Sequence, residues 1–459
     1  MKSCYGYYKC SLSESQHFSG NRTVTVGFAL QLHRFLLKMR YFMMNAESVY
    51  KIFLLFFVFS TALQLYLSVR QSRAVLRHHS EVPHNFIETV TLAEHQVAAD
   101  YTLAKQRLAR YRILYDSILL MIFTLGGGLN TLAAVSAKLS DGPITQGVWL
   151  ITLFVLISTI LSLPFDAYAT FKLEGRFGFN RSTPATFFID RIKGLLLGAI
   201  IGIPLLYAAI YLMGVTGHSW WLWVWLLWLV FSLFLLWAYP KWIAPLFNKF
   251  EPLPEGPLKA QIESLLDRTG FQSNGIFVMD GSRRSGHGNA YFTGLGTNKR
   301  IVFFDTLLKD MQPEEIEAVL AHELGHFKHH HIIRQMIVNF VLALGVLFIL
   351  GQLMPHVAFY QGLGVSYPSH AMGLLLFMLI LPVFTFPFSP LSSLISRKNE
   401  FQADRFAAET SSAHHLIQAL TKLYRSNASS LVSDKWYERF YASHPSASER
   451  ISALKRVSE

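Results

Sequence analysis

The sequence predicts a mainly α, multi-pass membrane protein of about seven spanning helices, with a polar, helical mass that contains a small β-hairpin. Three observations predict it. Of 459 residues, 52% are hydrophobic and only 15% charged, and the mean hydropathy of +0.31 is too high for an ordinary soluble chain. Seven stretches, at roughly 49–69, 115–137, 147–167, 194–214, 219–239, 332–354 and 370–391, reach the length of about 20 apolar residues that a spanning helix needs. Two longer polar segments, about 240–331 and 392–459, follow the fifth and seventh of them.

Taken in order, residues 1–45 read as an N-terminal extension without a confident span or a signal-peptide cleavage pattern. Met39, Met43 and Met44 are alternative starts. Residues 46–240 form a membrane domain of five spans, and 241–459 a second domain with two more. In the fourth span Gly194, Gly198 and Gly202 recur every four residues, which either admits a neighbouring helix closely or leaves a flexible one. Pro382, Pro387 and Pro390 should kink or end the seventh, so that protein or water satisfies the freed carbonyls and the segment lines an interior.

The net charge of +12 is not a nucleic-acid signature, because no lysine/arginine run tracks a phosphate backbone. Basic residues crowd the loops after spans one and three, whereas Lys138 alone follows spans two, four and six. The crowded loops, and with them both long polar segments, belong on the cytoplasmic side. The partner surface implied is a lipid bilayer. Cys4 and Cys10 are too few and too close to the start for a disulfide framework or a thiolate metal site.

Chemistry begins at "AHELGH". His322 and His326, four apart on a helix, share a face on which both imidazoles meet one zinc. Glu323 projects beside that metal, where it can take a proton from a water whose pKa the metal lowers. Chance can produce this motif among 18 histidines, but Pro313, Glu314 and Glu315 open a helix there, with Ile316, Val319 and Leu320 on its apolar face. The extended pattern with a third histidine is excluded, since His329 stands where it needs glycine and Ile332 where it needs the ligand. His329, His330 and His331 read as interfacial residues at the mouth of span six in preference to further metal ligands.

The remaining ligand is sought in "SRKNEFQADRFAAE". Glu400 and Asp404 share a helix face, so that Glu400 can bind zinc while Asp404 accepts the free N–H of a ligand histidine and fixes its tautomer. Alone, the segment would equally be a solvated helix with ion pairs to Arg397 or Arg405. Upstream, "GHGNAYFTGLGTNKRIVFFDTLL" reads as two strands around a Gly-Thr-Asn-Lys turn, the first starting at Asn289, Ala290 and Tyr291. Its edge either pairs with an extended substrate backbone or is a structural hairpin.

The seven spans together with "NAYFTG", "NKRIVFFDTLL", "AHELGHFKHH", "SRKNEFQADRFA" and "SHPSASERI" resemble the membrane-integral type I CAAX prenyl proteases from about residue 46 onward. That resemblance implies a gluzincin-like zinc endopeptidase with one zinc per chain, held by His322, His326 and Glu400, with Glu323 as general base. It implies Asp404 as a supporting carboxylate or proton donor, and His444 and Arg450 as groups that stabilise the oxyanion or bind the substrate's C-terminus. The implied fold is a ring of helices around a water-filled chamber capped by the catalytic domain, and the implied partner a peptide or membrane-protein substrate. Missing retrieval signals and compact loops fit a bacterial plasma-membrane member; a eukaryotic one would sit in the endoplasmic reticulum. The competing reading is a non-catalytic chamber or transporter with a structural zinc, which has no use for Glu323.

Overall fold

The computed structural model describes residues 45–294 and 299–458. The extension before Asn45, and the centre of the expected Gly-Thr-Asn-Lys turn, lie outside the described residues.

Six helices are long and apolar enough to cross a membrane, and a seventh span results if one bent pair is counted. They outrun their apolar cores: the first runs Ala46–Arg77, opened by Asn45 capping Glu47 N. The second expected span is the bent pair. Leu92–Phe123, which starts in a Thr91/Glu94 capping box, and Gly128–Leu139 meet at 57°. The break falls at Gly126–Gly128, where Gly127 has a φ of 78° that favours glycine. Three consecutive glycines are what allow a spanning segment to turn there.

Pro382 sits inside the helix His370–Thr385, Pro387 in the short turn Phe386–Phe388, and Pro390 in the first turn of Ser389–Thr410. The chain thus continues from the last span straight into the helix that carries Glu400 and Asp404. In the spans Pro143–Glu174 and Pro184–Val215 only 6% of the most apolar window is buried. Such low burial leaves most of the surface of these two helices facing lipid or an interior space rather than protein. Of the two readings of Gly194, Gly198 and Gly202, the close helix approach is not found: a Cβ on any of them would meet nothing within 4 Å. The small-residue spacing faces open space because neighbouring spans pack elsewhere, through residues such as Ala209, Ile210 and Met213.

The polar half holds a four-stranded mixed sheet rather than a lone hairpin. Strands β1 (Phe250–Pro252), β2 (Ile276–Met279), β3 (Ala290–Thr293) and β4 (Arg300–Phe304) lie in the order β1-β2-β4-β3, with β2 parallel to β4 and the other pairs antiparallel. β3 is therefore an edge. Phe292 on β3 packs edge-on to Phe327, 5.0 Å between ring centres, which fastens the edge strand to the end of the helix Pro313–Lys328. Ile301, Phe303, Ile316, Ala318, Leu320 and Leu324 form one buried core under sheet and helix.

The two halves are stitched by charge. Arg70, at the end of the first long helix, grips both oxygens of Asp434 at 2.9–3.2 Å, while Gln71 accepts from Asp434 N at 2.8 Å. Asp434 in turn caps the helix Lys435–Tyr441 through Trp436 N and Tyr437 N.

Candidate active site

The helix Pro313–Lys328 begins with Pro313 in its first turn and a Gln312/Glu315 capping box, in which Gln312 N donates to Glu315 Oε2 at 2.7 Å. Lys422 also reaches that oxygen, at 2.7 Å. With its start fixed, the helix carries His322, Glu323 and His326 against Ser389–Thr410. The two helices meet almost backbone to backbone, since a Cβ on Gly325 would stand 2.9 Å from Ala403 Cα. Only glycine allows that approach. It brings Glu400 up to the two imidazoles.

Three side chains converge: His322 Nε2 and His326 Nε2 are 3.3 Å apart, and the two oxygens of Glu400 face one nitrogen each, Oε2 at 3.5 Å from His322 Nε2 and Oε1 at 3.4 Å from His326 Nε2. Ligands at about 2.0–2.1 Å from a tetrahedral zinc stand about 3.3 Å from one another. These residues therefore fit a zinc ion, and Glu400 Oε2 is buried with no hydrogen-bond partner of its own. Among the described residues they are the one group of this kind.

Glu400 and Asp404 are both buried, and neither pairs with Arg397 or Arg405, which bond instead to backbone carbonyls and to the exposed Glu409. Asp404 Oδ1 lies 2.8 Å from His322 Nδ1, and Arg450 holds the same carboxylate with Nε at 2.9 Å and Nη2 at 2.6 Å. Arg450 is itself buried and turned toward Asp404, away from any open face. His444 Nε2 is 3.4 Å from Glu400 Oε1, yet its side chain is 58% exposed, so this ring stands at the mouth of the ligand group. Arg397 fixes the approach to it by donating to the carbonyls of Glu438 and Ala442, at the end of the helix that Asp434 caps. Glu323 makes no hydrogen bond or ion pair with a described side chain, and burial pushes its carboxyl above the ordinary range.

Asn289 is exposed at the start of β3, its Oδ1 accepting from Ala290 N; Tyr291 turns back toward Met279 and Phe304. The preceding loop is anchored where sequence gave no warning. Asn427 Oδ1 accepts from Gly288 N at 3.1 Å, and His287 stacks on Phe179 with ring centres 4.2 Å apart.

The histidine triplet departs from expectation. His329 and His330 are exposed, but His331 is buried, with Nδ1 3.1 Å from His326 Nδ1 and Nε2 2.9 Å from Gln402 Oε1. It is not an interfacial residue. The reason is local: His330 adopts a left-handed conformation, φ 55°, and this turn between the two helices folds His331 back onto the ligand group.

Comparison with known proteins agrees with this geometry. Residues 71–249 match the model of the CAAX prenyl protease N-terminal region with five membrane helices, and residues 252–458 match peptidase family M48. CAAX prenyl protease 1 homolog of Oryza sativa subsp. japonica is 35% identical over 89% of this chain and 97% of its own length. The chain belongs to the CAAX prenyl protease family of M48 peptidases. CAAX prenyl protease 1 of Saccharomyces cerevisiae is 37% identical over 69% of this protease and 73% of its own. The crystal structure of S. mikatae Ste24p superposes with a TM-score of 0.82 at 31% identity, covering 88% of this protease and 98% of that chain. The protease is thus a multi-pass membrane zinc metalloendopeptidase of mainly α fold. The relatives named here are eukaryotic, which favours the eukaryotic reading over the bacterial one.

Proposed function

We propose that this protease hydrolyses peptide bonds near the C-terminus of prenylated CAAX proteins, with one zinc ion per chain held by His322, His326 and Glu400. The observation that carries the reading is the convergence of those three side chains at a spacing that fits zinc, beside a Glu323 that has no other partner among the described residues. Bound zinc supplies Lewis acidity, acidifying a water and polarising the scissile carbonyl. Glu323 takes the proton from the attacking water and passes it to the leaving amine. His444, exposed at the mouth, donates from Nε2 to the oxygen that gains charge as the carbonyl becomes tetrahedral. Asp404 and Arg450 hold His322 in the tautomer that leaves Nε2 free.

The substrate backbone lies along the open edge of β3 from Asn289 to Tyr291, supported by the attachment of that strand to Phe327 next to His326. The membrane is that of the endoplasmic reticulum, with the catalytic half on the cytosolic face. Residues 46–240 form the membrane half and 241–459 the peptidase half. A farnesylated CAAX peptide incubated with purified protease tests the reading: cleavage lost in Glu323→Gln and on zinc removal supports it, and cleavage that survives both overturns it.

A further inference from the structure

The outward nitrogens of the two ligand histidines are held differently. His322 Nδ1 faces the carboxylate of Asp404, whereas His326 Nδ1 faces the ring of His331 at 3.1 Å, and His331 Nε2 faces Gln402 Oε1 at 2.9 Å. We infer that His331 and Gln402 are positioning residues for zinc: a directed relay, Gln402 to His331 to His326, that fixes the proton of His326 on Nδ1. The inference rests on the ligand set proposed above.

The direction follows from the metal end. A His326 that binds through Nε2 must carry its proton on Nδ1, because the metal needs the Nε2 lone pair. That N–H donates to His331 Nδ1, which must therefore be bare. His331 then has its proton on Nε2, and this N–H needs an acceptor, which the amide oxygen of Gln402 supplies. The opposite order leaves a proton on His326 Nε2, where the zinc belongs. A doubly protonated His331 is excluded from the relay because it has no lone pair to accept with.

Two features make the relay a built one. His331 is only 4% exposed, so water does not replace its partners, and the left-handed turn at His330 is what delivers it. Gln402 and Asp404, the ends of the two outer lines of hydrogen bonds, stand on the same helix as the ligand Glu400. One helix thus supplies a ligand and orients both of the others.

The test is zinc retention by the full-length protease in detergent, titrated with a chelator, with the thermal midpoint of the metal-free protein measured alongside. His331→Phe removes the acceptor and should weaken zinc by about 10–100-fold, as loss of a partner behind a ligand histidine does. His331→Asn places an amide oxygen where the ring carries Nδ1 and should restore retention close to the parent. Gln402→Met should show a smaller loss in the same direction. The metal-free midpoints should stay together, which a merely structural role for His331 would not give. Parent-like retention in His331→Phe, or an equal loss in His331→Asn, overturns the relay. Should His331→Phe fail to accumulate, parent-like retention in Gln402→Met, or loss in His331→Asn, decides against it. His326→Ala separates the two levels: zinc kept in that variant defeats the ligand set itself, whereas zinc lost there but kept in His331→Phe defeats the relay alone.

Discussion

Asp404 Oδ1 lies 2.8 Å from His322 Nδ1, and the same carboxylate is gripped in a fork by the buried guanidinium of Arg450. The C-terminal helix Ala447–Ser458 therefore reaches the metal site through Arg450. Removing only one partner of such a pair leaves an uncompensated buried charge, which costs about 3–5 kcal/mol. Arg450→Ala should lower the thermal midpoint markedly, and Arg450→Lys should fall between it and the parent, because an ammonium cannot reproduce the two parallel bonds. An unchanged midpoint in Arg450→Ala would show that the pair is not formed.

Asp404→Asn keeps the shape but offers His322 a weaker acceptor. Zinc affinity, measured against a chelator, should fall by about 10–100-fold while the ligand set stays whole. A loss of cleavage with unchanged zinc affinity would mean that Asp404 instead handles a proton in the reaction.

Gly325→Ala inserts a methyl group where Ala403 Cα stands 2.9 Å away. The helices must part, costing about 1–3 kcal/mol by overpacking and drawing Glu400 back from the imidazoles. Both the thermal midpoint and zinc content should drop; a neutral outcome would contradict the close helix contact.

His330→Gly tests the turn behind the relay. At φ 55° glycine relieves a conformation that costs an L-residue about 1–2 kcal/mol, and the exposed His330 ring makes no hydrogen bond, ion pair or ring stacking with a site residue among the described residues. Stability should hold or rise, and zinc retention should match the parent. Loss of zinc in this variant would place the His330 ring in the site.

A protease-protection assay tests orientation. Tags placed after Glu459 and in the exposed loop at Tyr367 should lie on opposite faces of the membrane, the first cytosolic. Reversed accessibility would overturn the orientation read from the basic loops.

The sequence displayed the site's inner ring well because each piece has local spacing. His322 with His326, and Glu400 with Asp404, are four apart on helices, and helical geometry alone puts each pair on one face. What joins the two pairs was less visible: the Gly325–Ala403 contact depends on packing between segments far apart in the chain. His331 was read as interfacial because its place depends on a left-handed residue that is not glycine, and histidine at a membrane mouth has an ordinary interfacial explanation. Strands β1 and β2 were missed because, short as β3 is too, no turn signal joins them like the Gly-Thr-Asn-Lys between β3 and β4: the helix Pro257–Thr269 stands between them. The glycines of the fourth span left two readings open, because their spacing fits close packing, yet it finds open space. Gly126–Gly128, by contrast, broke the second span where an apolar count alone saw one helix.

The most direct test of the account is the zinc content of three purified forms, measured beside cleavage of a farnesylated peptide. The parent should hold about one zinc and cleave. Glu323→Gln should hold the same zinc and not cleave, because the ligands are intact and the base is gone. Glu400→Ala should lose zinc and cleavage together. Full zinc in Glu400→Ala, or cleavage by Glu323→Gln at the parent rate, would contradict the division of this site into three ligands and one base.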